Sequence, residues 1–335
     1  MDVLVISNPN STSITQKNLA QIIPTLMRVD GIRMRSRFTQ YAGHAEELAR
    51  QARTQGWDAV IAIGGDGTVC EVINGLLDVP TDDPDAEAHD FLTTNAPKLG
   101  IIPTGSANVF ARSIGFFGEA NQAVQQLAKA LEADHSEKVA LGSWADASED
   151  SRKEHRWFAV NVGFGADADV IHKMEERREQ GLSASPWRYA RIAVQTWMES
   201  KDSDPAISVE AHGPSGSLQH GDLPLAFVSH TDPWTYFGPF PARIVPDGAM
   251  EKGLSFFSLK TNRGWRPLAA LAGLLIPTLR RHFESETVTF KAAHEVKLSV
   301  EKPRDFQVDG EYKGQYSCVD LRFIPEAVEV FTPVD

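Results

Sequence analysis

The segment Gly64-Gly65-Asp66-Gly67-Thr68 directly follows the apolar run Ala59-Val60-Ile61-Ala62-Ile63. A buried strand ending in this turn, with a helix expected over Val69–Leu77, leaves free backbone N–H groups at a helix start. Such a start is an anion site. Three glycines around one aspartate permit positive φ and close approach of the backbone to a ligand. The pattern reads as a phosphate cradle, with Asp66 supplying a carboxylate for a metal or an acceptor for a hydroxyl. The plainer alternative, a tight βα turn without a ligand, does not need three glycines.

Four other segments could carry chemistry. Asn8-Pro9-Asn10-Ser11-Thr12 follows the first apolar run, where its hydroxyls and amides can cap a helix or bind a phosphate. In Pro103–Arg112, Gly105 allows a tight turn, Ser106 can cap the next helix and contact a nucleotide, and Asn108 can fix the loop. Phe306-Gln307-Val308-Asp309-Gly310-Glu311 is either a hairpin turn or a strand end presenting a carboxylate that accepts a hydroxyl proton, and residue types alone do not choose. Asn161–Asp169, with Gly163 and Gly165, is a close-packed turn or a groove wall.

The elements that must position these residues change character along the chain. Strands at Val3–Ser7, Arg33–Phe38, Ala59–Ile63 and Leu99–Ile102 alternate with helices at Ile14–Arg28, Ala45–Gln55, Val69–Leu77 and from Val109. This predicts a doubly wound α/β domain with a parallel sheet, whose ligands bind beyond the carboxyl ends of the strands. The acidic stretch Thr81–Ala96 reads as a solvated insertion.

From about residue 138, strands follow one another at Val139–Leu141, Arg156–Val162, Ala206–Ala211, Pro224–Ser229, Gly253–Lys260, Val288–Phe290, Val296–Val300, Phe306–Val308 and Ser317–Phe323. Two amphipathic helices, Pro186–Glu199 and Trp265–Phe283, interrupt them. The expectation is an α/β domain over 1–137, completed by 326–335, and an antiparallel β-sandwich-like domain over 138–325, with a cleft between them.

The 335 residues are 42% hydrophobic and 23% charged, enough for a packed core. A net charge of −12 argues against nucleic-acid binding through a general basic field, and contact with an anionic membrane would need local basic patches. Cys70 and Cys318 are far apart and lack metal-ligand spacing, which suits a reduced, cytoplasmic protein. No basic segment precedes an apolar core at the amino end, so no signal peptide is expected, and the longest apolar run, Leu268–Leu279, holds Pro277 and is too short to span a bilayer.

In this order, Asn8-Pro9 with Ser11, Gly64–Thr68 followed by Glu71 and Asn74-Gly75-Leu76, Pro103–Arg112, Gly163-Phe164-Gly165 and Asp309-Gly310-Glu311 resemble the lipid kinase family of bacterial soluble diacylglycerol kinases, sphingosine kinases and ceramide kinases. Gly-Gly-Asp-Gly by itself also occurs in NAD kinases and phosphofructokinases. The ordered set with Asn108-Val109-Phe110-Ala111-Arg112 and the late Asp-Gly-Glu is more specific.

The resemblance implies ATP with Mg²⁺ at the cradle of Gly64, Gly65, Asp66, Gly67 and Thr68, with Asn8, Ser11, Thr39, Gly105, Ser106 and Asn108 around it. Asp66 would position Mg–ATP. Glu311 would act as general base on a lipid hydroxyl with Asp309 beside it, and Val328–Pro333 would return to the first domain. Partners would be a lipid substrate met at a membrane surface by a peripheral, cytoplasmic protein without a transmembrane segment, and a second copy pairing through a strand edge of the β-rich domain.

Some positions depart from the family pattern. Thr12 replaces a usual glycine, and Thr104 stands where an apolar residue or glycine is common. Lys252 stands where bacterial relatives often carry an aspartate for a structural Mg²⁺. An ammonium cannot ligate a metal, so that second site is expected to be lost, the Lys252 charge taking its place. Competing readings are a soluble-substrate kinase such as an NAD kinase, and a nucleotide- or lipid-binding regulator without turnover.

Overall fold

A computed structural model of the chain describes residues 1–9, 11, 16–78, 95–148, 155–165, 168, 207–237, 240–245 and 250–334. The expected insertion Thr81–Ala96 (all but its last two residues) and the expected helix over Pro186–Glu199 lie outside the described residues. The chain divides into two units, Met1–Leu141 with His155–Ala159 and Ile324–Asp335, and Gly142–Glu154 with Val160–Phe323.

Unit one begins β1 (Asp2–Ser7), α1 (Gln16–Leu26), β2 (Arg33–Phe38), α2 (His44–Thr54), β3 (Ala59–Gly64), α3 (Asp66–Leu76), β4 (Lys98–Pro103), α4 (Val109–Ser113) and α5 (Ala120–Glu132). The strands are parallel in the order β2-β1-β3-β4. Val3–Ile6 and Ala59–Ile63 are buried throughout, as continuous apolar runs in a sheet covered by helices should be. The helices pack in two pairs, α1 with α5 and α2 with α3. Gly75 allows the second pairing, because a Cβ there would lie 2.2 Å from the Glu46 carbonyl oxygen.

Two strands run from one unit into the other: β5 (Ser136–Asp146) and β16 (Glu311–Phe331), the latter returning to unit one, where Val330 pairs in parallel with Leu99 of β4. β6 (Arg156–Phe158) also belongs to unit one.

Unit two is antiparallel. It contains β7 (Asn161–Gly165), β8 (Ile207–Gly213), β9 (Gly216–Leu223), β10 (Leu225–Ser229), β11 (Thr235–Phe237), β12 (Phe240–Ala242) and β13 (Leu254–Leu259). The short helices α6 (Arg266–Ala272) and α7 (Pro277–Phe283) follow, then β14 (Thr287–Ala293), β15 (Glu295–Val308) and the first part of β16. The order is β14-β13-β10-β7-β15-β16, with β8 pairing the first half of β15 and β9 pairing β8. Trp144, Phe164 and Tyr316 surround Phe306, with ring centroids 5.0–5.9 Å away.

Several sequence expectations need correction. The helix after the glycine turn starts at Asp66, not Val69, because extended Gly65 (φ −90°, ψ −173°) already serves as its cap residue. Gly64, Gly65, Gly67 and Gly105 do not take positive φ. The expected helix Trp265–Phe283 is broken into α6 and α7, since Pro277 has no N–H and forces Ile276 into an extended conformation (φ −119°, ψ 98°). The expected strand Arg156–Val162 is interrupted at Ala159-Val160, giving β6 and β7, and the two expected strands within 296–308 are one strand, β15, whose register shifts between Ser299 and Arg304. The polar strand β9 carried no apolar signal.

Candidate functional site

In unit one, the loops after β1, β3 and β4 lie side by side because their strands are neighbours in the sheet. The Asn8 N–H donates to the Ile63 carbonyl at 3.0 Å, and the Thr104 N–H donates to the Gly64 carbonyl at 2.8 Å. Asn8 Nδ2 donates to Thr68 Oγ1 at 3.2 Å. Ser11 Oγ bonds the Thr104 carbonyl at 2.7 Å and lies 2.9 Å from Thr104 Oγ1. The structure thus brings Asn8, Ser11, Gly64 and Thr68 together, with Thr104 as an added member.

Glycine is required here for closeness, not for handedness. A Cβ on Gly64 would sit 2.4 Å from the Thr68 Cβ, and a Cβ on Gly105 would sit 2.6 Å from the Gly65 Cα. The β3–α3 and β4–α4 loops therefore touch backbone to backbone. The first-turn amides of Asp66, Gly67 and Thr68 have no intrahelical acceptor, since the first intrahelical bond at this end is from the Val69 N–H to the Gly65 carbonyl at 3.1 Å. Amides and hydroxyls are the donor set that phosphate oxygens need.

Asp66 lies in this wall. Its Oδ2 accepts the Val109 N–H and its Oδ1 accepts the Phe110 N–H, both at 3.1 Å. Burial pushes its carboxyl above the ordinary value, while the amides of Val109, Phe110 and Asn108 and its own amide pull it back. The expected cap of α4, Ser106, is exposed instead. The residue before α4 is Asn108, left-handed at φ 51° and without a side-chain cap bond, so Asp66 supplies the cap from another helix. Asn108 does fix its loop: Oδ1 accepts the Gly105 N–H at 2.8 Å, and Nδ2 donates to the Gly105 carbonyl at 3.0 Å. Thr39 is buried at the end of β2, its N–H bonded to the Ser7 carbonyl at 2.9 Å.

Two further side chains of α3 organise unit one, and sequence reasoning gave them no role. Glu71 accepts the N–H of Gly43 at 2.8 Å and of Ala45 at 3.1 Å, fixing the start of α2 and the loop that follows Thr39. Asn74 takes the Trp157 N–H and donates to its carbonyl, both at 3.0 Å, as a strand neighbour of β6 would. Their signal was available: polar residues at positions 66, 71 and 74 of an otherwise largely apolar helix.

In unit two, Asp309 and Gly310 form the two-residue turn between β15 and β16, both with positive φ (50° and 81°). The Asp309 carboxylate is also held. Its Oδ1 accepts the N–H of Val160 at 2.8 Å and of Asn161 at 2.9 Å. Gln307 bridges the same region, accepting the Gly310 N–H at 2.8 Å and donating to Asn161 Oδ1 at 3.0 Å. Glu311 is different: it bonds Lys313 Nζ at 2.8 Å and its side chain is 43% exposed. Lys252 is exposed before β13, and its neighbours Asp247 and Gly248 lie outside the described residues. Among the described residues no three His, Cys, Asp or Glu side chains are grouped to hold a metal ion.

A parallel α/β unit with an amide-lined cradle at its strand ends is thus followed along the chain by a β-rich unit. Yeast NADH kinase, solved with NADH, shares this fold at a TM-score of 0.52 and 8% identity, covering 100% of this chain and 83% of that one. Residues 2–143 match the family model of the diacylglycerol kinase catalytic domain. The diacylglycerol kinase of Staphylococcus carnosus (strain TM300) is 25% identical over 336 residues, 99% of this chain and 95% of that protein. The crystal structure of a diacylglycerol kinase from Bacillus anthracis str. Sterne matches with a TM-score of 0.62 at 18% identity, covering 99% and 96% of the two chains. Residues 2–143 thus resemble the diacylglycerol kinase catalytic domain, and the likeness to diacylglycerol kinases extends over the full length of the chain.

Proposed function

We propose that the protein transfers the γ-phosphoryl group of ATP to the hydroxyl of a diacylglycerol-like lipid. The observation that carries this reading is the cradle at the start of α3, where the first-turn amides of Gly67 and Thr68 meet Asn8, Ser11 and the Thr68 hydroxyl between loops held in contact by Gly65 and Gly105. Phosphoryl transfer asks mainly for alignment and charge stabilisation, which fixed N–H donors supply.

In this mechanism the amides of Gly67 and Thr68 hold phosphate oxygens, and Ser106 and Thr39 border the nucleotide. Mg²⁺ bound with the nucleotide would neutralise phosphate charge, and Asp66 is the carboxylate of the cradle available to it. Glu311 accepts the proton of the attacking hydroxyl, a role suited to an exposed carboxylate that is not committed to backbone amides. Asp309 positions the turn that presents Glu311. Because the acceptor resides in a bilayer, the enzyme works as a peripheral protein at a cytoplasmic membrane surface.

The test is incubation of the purified protein with γ-labelled ATP, Mg²⁺ and mixed micelles of diacylglycerol or total polar lipid, beside Glu311→Gln. A labelled lipid made by the wild type and reduced about 10²–10⁴-fold in the variant is the expected result. Labelled NADP from NAD, with no labelled lipid, would replace the lipid with a soluble acceptor.

A further inference from the structure

The helical pair α6–α7 of unit two has an inner face that is already satisfied. Ala270 and Leu274 are buried with Leu225, Phe227, Ile244, Val245, Phe257 and Leu259, and Leu268, Leu271 and Phe283 pack against them. What remains points outward: Trp265 is 65% exposed, Ile276 49% and Leu275 40%. Single exposed apolar residues are ordinary, but these three, one of them tryptophan, fall within one short helical hairpin.

Its charge is also unusual. Residues 260–283 contain five Lys or Arg and no Asp or Glu, in a chain with net charge −12. Arg266 pairs with Glu286 at 2.7 Å, and Arg280 turns inward to the carbonyls of Arg243 and Ile244. Lys260, Arg263 and Arg281 are exposed, as is His282.

We infer that the α6–α7 hairpin docks the protein on a bilayer of anionic phospholipid, with Trp265, Leu275 and Ile276 entering the interface and Lys260, Arg263 and Arg281 facing the headgroups. This rests on the lipid kinase reading, which requires the protein to meet a membrane. Tryptophan and aliphatic side chains beside cations are the chemistry of an interfacial anchor. A two-fold contact between copies would set these cations against themselves, so a second copy is a poor occupant.

The test is co-sedimentation with vesicles of phosphatidylcholine, with and without phosphatidylglycerol. The wild type should bind the anionic vesicles, bind neutral ones far less, and be released by salt. Arg281→Glu should weaken binding by roughly 25-fold, about fivefold for each unit of charge changed. Ile276→Ser and Trp265→Ser should each weaken it by about tenfold. All three should keep their phosphoryl transfer to short-chain diacylglycerol in detergent micelles. Variants that bind vesicles like the wild type, or a wild type that ignores anionic vesicles while phosphorylating micellar lipid, would overturn the docking surface and leave the kinase reading intact. Variants that change the sedimenting mass in place of vesicle binding would make the hairpin a protein contact and also overturn it. Vesicle binding without any lipid phosphorylation would instead remove the kinase reading.

Discussion

The carboxylate of Asp66, first residue of α3, accepts the backbone N–H of Val109, first residue of α4, at 3.1 Å. One side chain of the cradle thus sets the geometry of the neighbouring loop, whatever it does toward a nucleotide. Asp66→Asn keeps the size but cannot accept at both positions. It should lose about 1–3 kcal/mol of stability, read from the urea midpoint, together with most phosphoryl transfer. Wild-type stability in this variant would show that the cap is dispensable.

Gly105→Ala should be more harmful to nucleotide binding than to folding. Its Cβ meets the Gly65 backbone at 2.6 Å, so the two loops must part. A loss of at least about tenfold in ATP affinity by calorimetry is expected, with about 1–3 kcal/mol of destabilisation. Gly31→Ala is the control: Gly31 has φ +77° but no atom within 4 Å of an added Cβ, so ATP affinity should be unchanged.

Asp309 and Glu311 should separate by stability. Asp309→Ala leaves the Val160 and Asn161 amides without their acceptor and should lower Tm by about 5–10 °C. Glu311→Gln removes only the exposed pair with Lys313 and should shift Tm by no more than about 2 °C while turnover falls. Equal Tm losses would mean that both carboxylates are structural.

Lys98, at the start of β4, bonds Asp134 at 2.8 Å and pairs with Glu329 of β16 at 3.3 Å. Burial lowers its ammonium, but the two carboxylates outweigh burial and hold it above the ordinary 10.5. The folded chain therefore keeps this proton longer than the unfolded chain. Its stabilisation is complete below pH 10.5 and is lost as pH rises through the raised value. Lys98→Met should lower stability by about 0.5–1 kcal/mol at neutral pH, a difference in Tm that closes as pH rises through the raised value. A difference independent of pH would assign the effect to packing.

Much of the architecture is legible locally because its signals are local. Ala59–Ile63 is uniformly apolar and buried on both faces, and Asp309-Gly310 is a turn pair whose backbone angles follow from its residue types. The break before Pro277 was equally readable, since proline restricts its own residue and the one before it, yet the apolar spacing of Leu268–Leu279 masked it. Strand β9 was not readable, because its residues are mostly solvated and it forms by pairing with β8.

By itself the sequence determined which segments are strands, helices and loops over most of the described chain, and that glycine, aspartate and hydroxyl residues collect after β1, β3 and β4. Only the tertiary structure decided what those side chains hold. Asp66 caps a helix 43 residues away, Glu71 fixes a loop 28 residues back, and Asp309 binds amides 149 and 148 residues away. Periodicity and turn chemistry act over a few residues, whereas a hydrogen-bond partner across the chain is chosen by which strands become neighbours in the sheet.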